Sequence, residues 1–455
     1  MQEKHLNEQV EEAIEHCHAW LKANEARAPE ILDGLYQKQT ELDIRYRDRP
    51  IPTFLRPCFI TRQQREKIQR TSQILLDCAE RFIELFVKDE SVRPAIGLSA
   101  EEERLAVVNT RPGRRVQVAR PDSFMHGERL KYLEFNSDSP AGVAWTDLHE
   151  QVFLGLPQIS GLAADRRLGT SSCRDLMLEA FLESWRQFGG SGQPRVAIVD
   201  WRDVATSREF YVIKEYFERQ GIETIVADPR DMELIGEQLY ADGQPVDLVY
   251  RRVIIGELLS RRQEKGISDF LGAFERGLVC VLNPFSSRIS GSKAFMAVLS
   301  DEKYDSLFNG EQNRVRAECV PWTRVLCEGQ ESCLGQRLDL FEFVRASRND
   351  MVIKPTNGYG GKEVNIGREV DQSSWEDLLH DAARRPGYWT VQEYVDIPEE
   401  SFPTLESGLC FEDLKVNLNP YLFAGRYAGS FVRLSKSSVI NVTQGGGMVP
   451  VFVLL

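Results

Sequence analysis

The chain has 455 residues, of which 42% are hydrophobic and 27% are charged, and its 69 acidic against 56 basic residues give a net charge of −13. This composition excludes a largely disordered chain, and the length predicts about two or three domains. The acidic excess argues against a nucleic-acid partner, because neutralising phosphates needs a basic surface, but it leaves room for a small anion in a local basic cleft.

Localisation is inferred from the N-terminal segment and the cysteines. Residues 1–10 have no apolar core of the kind that a signal peptide needs, and no window approaches the roughly 20 apolar residues of a membrane span. The nine cysteines are scattered without a CxxC pair, which indicates reduced thiols rather than a zinc site. We therefore expect a cytoplasmic protein that binds neither nucleic acid nor membrane.

Helical periodicity characterises the first part of the chain. Apolar residues recur at three- and four-residue spacing over residues 3–26 and 61–88, so both stretches are predicted to be amphipathic helices. A helical region that buttresses the fold or covers a site, with no chemistry of its own, is the simplest interpretation.

Alternation then replaces the helical period. Residues 116–120 and 130–135 alternate, which predicts a β-hairpin whose loop is longer than two residues. Residues 171–188 are again predicted to be helical.

The polar residues of this hairpin are candidate metal ligands. Alternation places Arg120 and Asp122 on one face of the first strand, and Glu134 and Asn136 on one face of the second. If the strands pair, two carboxylates, an amide oxygen and a guanidinium converge, and hard oxygen ligands suit Mg²⁺. A solvated hairpin with charges paired across its strands is the alternative.

An α/β pattern follows. A short apolar strand at residues 195–200 precedes a helix over residues 207–220 and a second strand at residues 222–226, and two more apolar runs come later. Strands that alternate with helices imply a parallel, Rossmann-like sheet. Because no GxGxxG follows the first strand, we infer no dinucleotide.

Two lysines in the last third are candidate phosphate ligands. Lys293 lies near the start of a helix predicted over residues 291–299, where a cation is disfavoured unless an anion is bound; a solvated lysine is the alternative. A strand at residues 351–354 ends in Lys354, and a loop follows whose backbone N–H groups can approach an anion closely, although a plain hairpin turn has the same composition. The loop contains Gly358, Gly360 and Gly361.

Two further strands carry polar candidates. An apolar strand at residues 388–394 ends in groups that can recognise an adenine edge. These are Gln392, Glu393 and Tyr394. Arg433 lies in an alternating strand and can stabilise charge on a transferring phosphoryl group, whereas Asn441 and the glycines 445–447 beyond it are equally compatible with a surface turn.

As a set, these motifs resemble the ATP-grasp superfamily, in particular its circularly permuted branch related to glutathionylspermidine synthase. The segment LEFNSDSPAG, residues 133–142, is similar to that branch. In the usual ATP-grasp order the metal strands follow the lysines and the hinge, whereas here they precede both by more than 150 residues. This order is what circular permutation produces.

The resemblance implies a role for each motif. The hairpin supplies the phosphate-binding Arg120 and the Mg²⁺ ligands Asp122, Glu134 and Asn136. The lysines 293 and 354 contact the phosphates and the adenine side, the Gly-rich loop covers the phosphates, and residues 392–394 form the hinge that reads adenine. The family pattern K-P-x-x-R-E-G is replaced here by KPTNGYGG, so a further metal-binding glutamate is missing from its usual place.

The resemblance further implies an ATP- and Mg²⁺-dependent carboxylate–amine ligase, which acts on a small-molecule carboxylate and a small-molecule amine. A catalytically silent nucleotide-binding regulatory protein and an ATP-grasp small-molecule kinase are the alternatives. The substrate candidates follow the hairpin or end a strand of the α/β sheet, where such folds bind ligands, and surface salt bridges are the alternative for the two arginines. They are Ser137, Asp138, Ser139, Arg251 and Arg252.

The fold expected on these grounds is α/β: a circularly permuted ATP-grasp domain with a Rossmann-like pre-ATP-grasp sheet and an N-terminal helical region. We divide the chain into five segments. They are a helical region (1–95), the metal-binding hairpin of the ATP-grasp domain (96–150), connecting helices (151–190), the Rossmann-like substrate domain (191–285) and the nucleotide-binding subdomains (286–455).

Overall fold

The structure is a computed structural model that describes residues 8–108, 113–166, 168–333, 335–358, 360–406, 408–440 and 446–455. Among these residues, no helix is both long enough and apolar enough to cross a membrane. The α-helices are α1 (Glu8–Ala23), α2 (Ala28–Glu41), α3 (Arg62–Lys88), α4 (Ala100–Ala106), α5 (Thr146–Leu154), α6 (Pro157–Arg166), α7 (Cys173–Phe188), α8 (Ser207–Arg219), α9 (Ile255–Ser260), α10 (Lys265–Glu275), α11 (Arg288–Gly291), α12 (Ala294–Leu299), α13 (Gly310–Cys319), α14 (Leu340–Ala346) and α15 (Gln372–Arg384).

The strands of the described residues form six sheets, three of which build the candidate site. The strands are β1 (Arg45–Tyr46), β2 (Arg49–Pro50), β3 (Cys58–Thr61), β4 (Val118–His126), β5 (Arg129–Asn136), β6 (Leu168–Gly169), β7 (Val196–Val199), β8 (Thr224–Ala227), β9 (Met232–Ile235), β10 (Gln238–Ala241), β11 (Gln244–Val246), β12 (Leu248–Arg251), β13 (Cys280–Leu282), β14 (Thr323–Val325), β15 (Gln330–Cys333), β16 (Gln336–Asp339), β17 (Met351–Pro355), β18 (Asn365–Ile366), β19 (Trp389–Glu393), β20 (Glu399–Leu405), β21 (Leu409–Phe423), β22 (Arg426–Ser435) and β23 (Gly447–Leu454).

The largest sheet joins strands from both ends of the chain. Its order is β3-β23-β22-β21-β4-β5, and β20 pairs with β21 while β6 pairs with β23. The hairpin β4–β5 from the first third therefore lies beside β21 and β22 from the last third, as circular permutation requires. Helix α3 packs against β22. It begins with a capping box in which Thr61 and Gln64 each accept a hydrogen bond from the other's backbone N–H.

The hairpin is present, but the prediction of a long loop is wrong. β4 runs to His126 and β5 starts at Arg129, so only Gly127 and Glu128 connect them. Gly127 has φ +56°, a conformation that glycine adopts without steric cost. The sequence pattern hid the end of β4 because the strand contains the buried polar Ser123, whose hydroxyl donates to the Leu418 carbonyl of β21 at 2.9 Å.

The predicted parallel sheet is confirmed. Its order is β13-β12-β7-β8, and all three pairs of neighbours are parallel. Each strand is short and buried because helices cover both faces: α7 and α8 pack on the face that carries Ile198, and α10 packs on the face that carries Val199. The carboxyl ends of β7 and β12 face the segment that leaves the hairpin, since Ser139 donates to the backbone carbonyl of Arg252.

A third sheet has its own core. Its order is β14-β19-β17-β18, all antiparallel. Trp375 and Leu379 of α15 pack with Ile353 of β17 and Val391 of β19 in a cluster separate from the other two cores. This sheet carries the predicted lysine strand on β17 and the predicted hinge at the end of β19.

One side chain ties the parallel sheet to the hairpin. Asn283 follows β13, and its side-chain oxygen accepts from the backbone N–H groups of Gln117 and Val118 at 2.9 and 3.0 Å. Its amide nitrogen donates to the carbonyls of Val118 and Ser137 at 2.7 and 2.6 Å. Asn283 is 1% exposed, so all four bonds are shielded from water. The start of β4 and the residue after β5 are thereby fixed by one amide.

We expect Asn283→Ala to lower the free energy of unfolding by about 2–4 kcal/mol, because it leaves four buried main-chain groups without partners. Urea unfolding of the wild type and the variant measures this difference. Asn349→Ala, at an exposed asparagine, is the matched control and should change stability by less than about 0.5 kcal/mol. A loss for Asn283→Ala no larger than that of the control would contradict the assigned role.

Candidate active site

A cavity of about 540 Å³ lies where the large sheet, the third sheet and the carboxyl ends of the parallel sheet meet. All residues predicted for catalysis, nucleotide binding or metal binding line it. Next to them lies an apolar slot, defined here by Phe124, Leu133, Val352, Ile366 and Val395. The cavity therefore combines charged groups with an apolar wall, the combination that small-molecule sites use.

The hairpin positions its four polar side chains by register. Arg120 pairs with Asn136 and Asp122 pairs with Glu134 across the two strands. The amide nitrogen of Asn136 donates to Asp122 Oδ1 at 3.0 Å and lies 3.4 Å from Glu134 Oε1. Two carboxylates and an amide thus converge on the cavity, as the alternation of the sequence predicted.

Four cations surround these carboxylates. Arg433 of β22 forms an ion pair with Asp122, and Arg120 Nε lies 3.4 Å from Asp122 Oδ1. Lys293 Nζ lies 3.3 Å from Glu134 Oε2. Lys354 is the fourth cation and is 7% exposed. Four positive charges against two negative ones leave a local charge of +2.

Lys293 lies at a break between two helices rather than inside one. The helix predicted over residues 291–299 is interrupted, because α11 ends at Gly291 and Ser292 has an extended backbone with ψ 140°. Lys293 is the N-cap residue of α12, and its Nζ donates to the Gly358 carbonyl at 2.6 Å. The break therefore places the ammonium group between the hairpin and the Gly-rich loop.

Lys354 is held by neutral groups. Its Nζ donates to Gln392 Oε1 at 2.9 Å and to the Leu133 carbonyl at 3.2 Å. Gln392 is 3% exposed, and its amide nitrogen donates to Thr323 Oγ1 at 2.9 Å. Gln392 thus acts on the cavity mainly by orienting the lysine.

Charge and burial shift the pKa values of two of these groups. Burial would raise the pKa of Glu134, but the charges of Lys293, Lys354 and Arg433 lower it to about 2. Burial lowers the pKa of Lys354 to about 8, with Lys293 acting in the same direction and Glu134 opposing it. Near neutral pH, Glu134 is therefore ionised and Lys354 is mostly protonated.

The hinge and the loop line the cavity beside the apolar slot. Glu393 accepts a hydrogen bond from the backbone N–H of Trp322 at 3.3 Å, and the Tyr394 ring lies 3.7 Å from the Arg368 guanidinium carbon. The loop glycines line the cavity as well: Gly358, Gly360 and Gly361. Asn441 and Gly445, which the sequence also singled out, lie outside the described residues.

The five substrate candidates divide into two groups. Ser137 and Arg251 are fully buried and line no described cavity: Ser137 bonds to Ser290 at 2.7 Å, and Arg251 pairs with Asp138 at 2.5 Å. Both side chains bond to other parts of the protein and stabilise the fold. The salt bridge that was considered for Arg251 at the surface is therefore buried. Of the other three, Ser139 and Arg252 line the cavity, and Asp138 lines a smaller cavity of about 400 Å³ that shares Glu134 and Asn136 with it.

Asn417, Asp200 and Glu257 are polar lining residues that were not predicted from the sequence. Asn417 of β21 accepts two hydrogen bonds from Arg433, at 3.1 and 2.7 Å, and so orients that guanidinium. Asp200 follows β7, and burial raises its pKa to about 6 against the opposing charge of Arg252. Glu257 of α9 accepts from Trp201 Nε1 at 2.6 Å. The end of the first parallel strand was the one signal that pointed to Asp200.

The hairpin residues fit a Mg²⁺ ion that also binds phosphate. Asp122 and Glu134 share the amide of Asn136, and carboxylate and amide oxygens are the donors Mg²⁺ prefers. Across the described residues, no group of three or more His, Cys, Asp or Glu side chains is placed to hold a metal. Two carboxylates complete an octahedron only with waters and phosphate oxygens, which is the usual arrangement for Mg²⁺ beside a nucleotide.

Known proteins resemble this chain in sequence and fold. A family model described as circularly permuted ATP-grasp type 2 matches residues 215–446. "Putative glutamate--cysteine ligase 2-2" of Frankia casuarinae is 26% identical over 353 residues, 73% of this chain and 38% of that protein. "Putative glutamate--cysteine ligase 2-3" of Frankia alni is 26% identical over 332 residues, 69% of this chain and 36% of that protein. The chain thus spans less than two fifths of the length of these relatives.

A solved structure extends the likeness in fold. A glutathione synthetase-like effector from Globodera pallida, in its apo form, is 11% identical and has a TM-score of 0.66. The superposition covers 94% of this chain and 96% of that one. At this identity the likeness concerns the fold alone. The hairpin residues 118–136 precede the range of the family match, so their place in the site rests on the structure.

We expect the cavity's affinity for inorganic tripolyphosphate to fall as the pH rises through about 8. Lys354 is charged below that pH and neutral above it, so raising the pH weakens the attraction between the cavity and the anion. Isothermal titration calorimetry from about pH 7 to about pH 9 should show that the affinity falls by about threefold to tenfold. A change of this size is expected when one buried charge is lost.

Lys354→Met serves as the comparison, because it removes the titrating group while leaving the ligand's own titration in place. It should bind more weakly near pH 7 and lack the additional loss near pH 8. Lys88→Met, at an exposed lysine, should behave like the wild type. A wild-type curve parallel to that of Lys354→Met would show that Lys354 does not titrate in this range.

Proposed function

The chain belongs to the circularly permuted ATP-grasp type 2 family, and from that membership we propose that it is an ATP- and Mg²⁺-dependent carboxylate–amine ligase. The product is an amide or peptide bond, and the reaction proceeds through an acylphosphate. The curated relatives named as ligases support the reaction class. The sequence motifs had led to the same family.

The convergence of four cations on the two hairpin carboxylates is the observation that carries this proposal. A local charge of +2 next to an apolar slot favours a ligand that has an apolar face at one end and several negative charges at the other. ATP has this form, because its adenine fits an apolar slot and its triphosphate carries the charge. Residues 392–394 border the slot, where strand-edge groups can recognise the adenine edge.

The hairpin would hold the metal. Asp122 and Glu134 offer carboxylate oxygens, and Asn136 orients both. Bound there, Mg²⁺ would neutralise charge on the triphosphate and favour transfer of its γ-phosphoryl group. Arg120 and Arg433, held beside Asp122, would stabilise the charge that develops on the transferring group.

The first step joins the substrate carboxylate to phosphate. A carboxylate oxygen attacks the γ-phosphorus, the bond to the bridging oxygen breaks, and ADP leaves with that electron pair. Ser139 and Arg252 line the cavity beside the hairpin, where the carboxylic acid substrate would be bound. Arg252 is 4% exposed and has a buried Nε atom without a hydrogen-bond partner, which makes it a candidate for binding an anionic group.

The second step forms the amide. The amine nitrogen attacks the acyl carbon of the acylphosphate, the carbon–oxygen bond to phosphate breaks, and inorganic phosphate leaves with the electron pair. Of the two protons that the ammonium form loses, one ends on phosphate and one in solvent. The relatives' names make L-glutamate and L-cysteine the first acid and amine to test.

Hydroxylamine capture tests this proposal without knowledge of the amine, because it converts an acylphosphate into a hydroxamate. We expect the wild type to form hydroxamate and ADP with ATP, Mg²⁺ and one member of a carboxylic-acid panel that includes L-glutamate. Glu134→Gln should lower the rate at least about 100-fold, since it removes a metal ligand.

Glu128→Gln, which removes a carboxylate from the turn of the same hairpin, is the matched control and should keep the wild-type rate. ADP formed with an alcohol, without any hydroxamate, would favour the kinase alternative. ATP that raises the melting temperature, with no ADP formed from any acid, would favour the silent regulatory alternative. Full activity of Glu134→Gln would contradict the metal assignment.

A further inference from the structure

A row of polar side chains crosses three strands of the third sheet. Thr323 of β14 lies opposite Gln392 of β19, and Lys354 of β17 lies opposite Thr390, two residues before Gln392. Paired residues, and residues two apart on a strand, point to the same face, so Thr323, Gln392 and Lys354 share one face of the sheet. Gln392 and Lys354 line the cavity, whereas Thr323 lines neither this cavity nor the smaller one beside it.

Thr323 is fully buried, and its backbone is bonded at both its N–H and its carbonyl. The N–H donates to the hydroxyl of Ser300 at 2.9 Å, and that hydroxyl donates to the Thr323 carbonyl at 3.0 Å. Ser300 is the C-cap residue of α12, whose N-cap residue is Lys293. The position of Thr323 is therefore fixed by α12 as well as by the strand pairing of β14.

The hydroxyl of Thr323 can only accept a hydrogen bond from Gln392. Its single hydrogen is donated to the Pro321 carbonyl at 2.9 Å, and a carbonyl oxygen has no hydrogen to donate in return. The amide nitrogen of Gln392 donates to the Thr323 hydroxyl at 2.9 Å and to the Leu133 carbonyl at 3.3 Å. Both of these oxygens would repel the amide oxygen of Gln392, so they fix which end of the amide faces them.

The orientation of this amide determines what Lys354 contacts. The oxygen and nitrogen ends of a glutamine amide have nearly the same size, so only hydrogen-bond partners select between the two orientations. In the observed orientation, Gln392 Oε1 accepts from Lys354 Nζ at 2.9 Å. In the reversed orientation two donors would face each other, and the buried ammonium group would lose this acceptor.

We propose that Thr323 is a positioning residue of the cavity: its hydroxyl holds the Gln392 amide in the orientation that keeps Lys354 in place for an anion. This inference rests on the role of Lys354 in the proposed function and adds a residue that lies outside the cavity. Without the amide oxygen, the ammonium group of Lys354 would be drawn towards Glu134, whose charge already acts on it. Pairing with Glu134 would cancel part of the charge that attracts the anion.

Thr323→Val tests the proposal, because valine has the shape of threonine but lacks the hydroxyl. We expect the Kd for inorganic tripolyphosphate, measured by isothermal titration calorimetry near pH 7, to rise about threefold to tenfold. Thr323→Ser keeps a hydroxyl and should bind within about twofold of the wild type. If Thr323→Ser binds as weakly as Thr323→Val, the hydroxyl is not the group that matters and the proposal is overturned.

A double-mutant cycle with Gln392 distinguishes positioning from a general structural role. Gln392→Met removes the amide and should weaken tripolyphosphate binding at least as much as Thr323→Val does. If Thr323 acts through this amide, adding Thr323→Val to Gln392→Met should change the Kd by less than about twofold. An equal loss from Thr323→Val in both backgrounds would show that the substitution damages the sheet, and would overturn the proposal.

Thr390→Val is the matched control. Thr390 is as buried as Thr323 and lies on the same face of the same sheet, and its hydroxyl bonds to that of Thr356 at 2.9 Å. This hydroxyl lies outside the chain of bonds that leads from Pro321 to Lys354. Thr390→Val should therefore bind tripolyphosphate within about twofold of the wild type, although it also removes a buried hydroxyl. A loss as large as that of Thr323→Val would count against the assignment.

The outcomes separate this inference from the ligase proposal, because tripolyphosphate binding needs neither a carboxylic acid nor an amine. If the wild type binds tripolyphosphate but forms no hydroxamate with any acid of the panel, the ligase function fails, and the cycle still decides the role of Thr323. If hydroxamate forms but Thr323→Val binds tripolyphosphate like the wild type, the role of Thr323 alone is overturned. A wild type that does not bind tripolyphosphate would contradict both.

Discussion

Four cations from distant parts of the chain are held within one small region, and this charge constrains the site. Arg120, Lys293, Lys354 and Arg433 repel one another, and burial strengthens that repulsion because the local dielectric is low. Asp122 and Glu134 offset only half of it. The site is therefore complementary to an anion of about two charges, which matches a nucleotide triphosphate bound together with one Mg²⁺. A neutral ligand would leave the excess charge uncompensated.

The fold brings these cations together by permuting the chain. The hairpin that carries the carboxylates pairs with none of the strands that directly follow it, because the short β6 pairs with β23 and the next two strands, β7 and β8, belong to the parallel sheet. It pairs instead with β21, almost 300 residues later, at Leu418 and Ser123. Such a long-range pairing costs loop entropy, and three separate cores plus the amide of Asn283 provide the compensating contacts. The site depends on all three cores at once.

Spacing in the sequence could predict the parts of this site that follow from local geometry. Alternation placed Asp122 beside Arg120 on one strand and Glu134 beside Asn136 on the next, and the motifs with their order predicted the permuted family and its fold. The sequence could not reveal Asn417, because its role depends on the pairing of β21 with β22. The burial of Ser137 could not be predicted for a similar reason, because it depends on a hydrogen bond between its hydroxyl and Ser290, a residue 153 positions later. The assignment of roles within the cavity remains a prediction.

Neutral acceptors explain how the positive charge persists without a ligand. Arg433 is oriented by the amide oxygen of Asn417, and Asn419 donates to that same oxygen at 2.7 Å. Lys354 is oriented by Gln392 and a carbonyl, and Lys293 by the carbonyl of Gly358. Asp122 and Glu134 already pair with Arg433 and Lys293, and further carboxylates in place of these neutral acceptors would cancel the remaining charge. The amide and carbonyl dipoles fix the positions of the cations and leave their positive charge available to a ligand. A site preorganised in this way needs little reorganisation when a phosphoryl group is transferred.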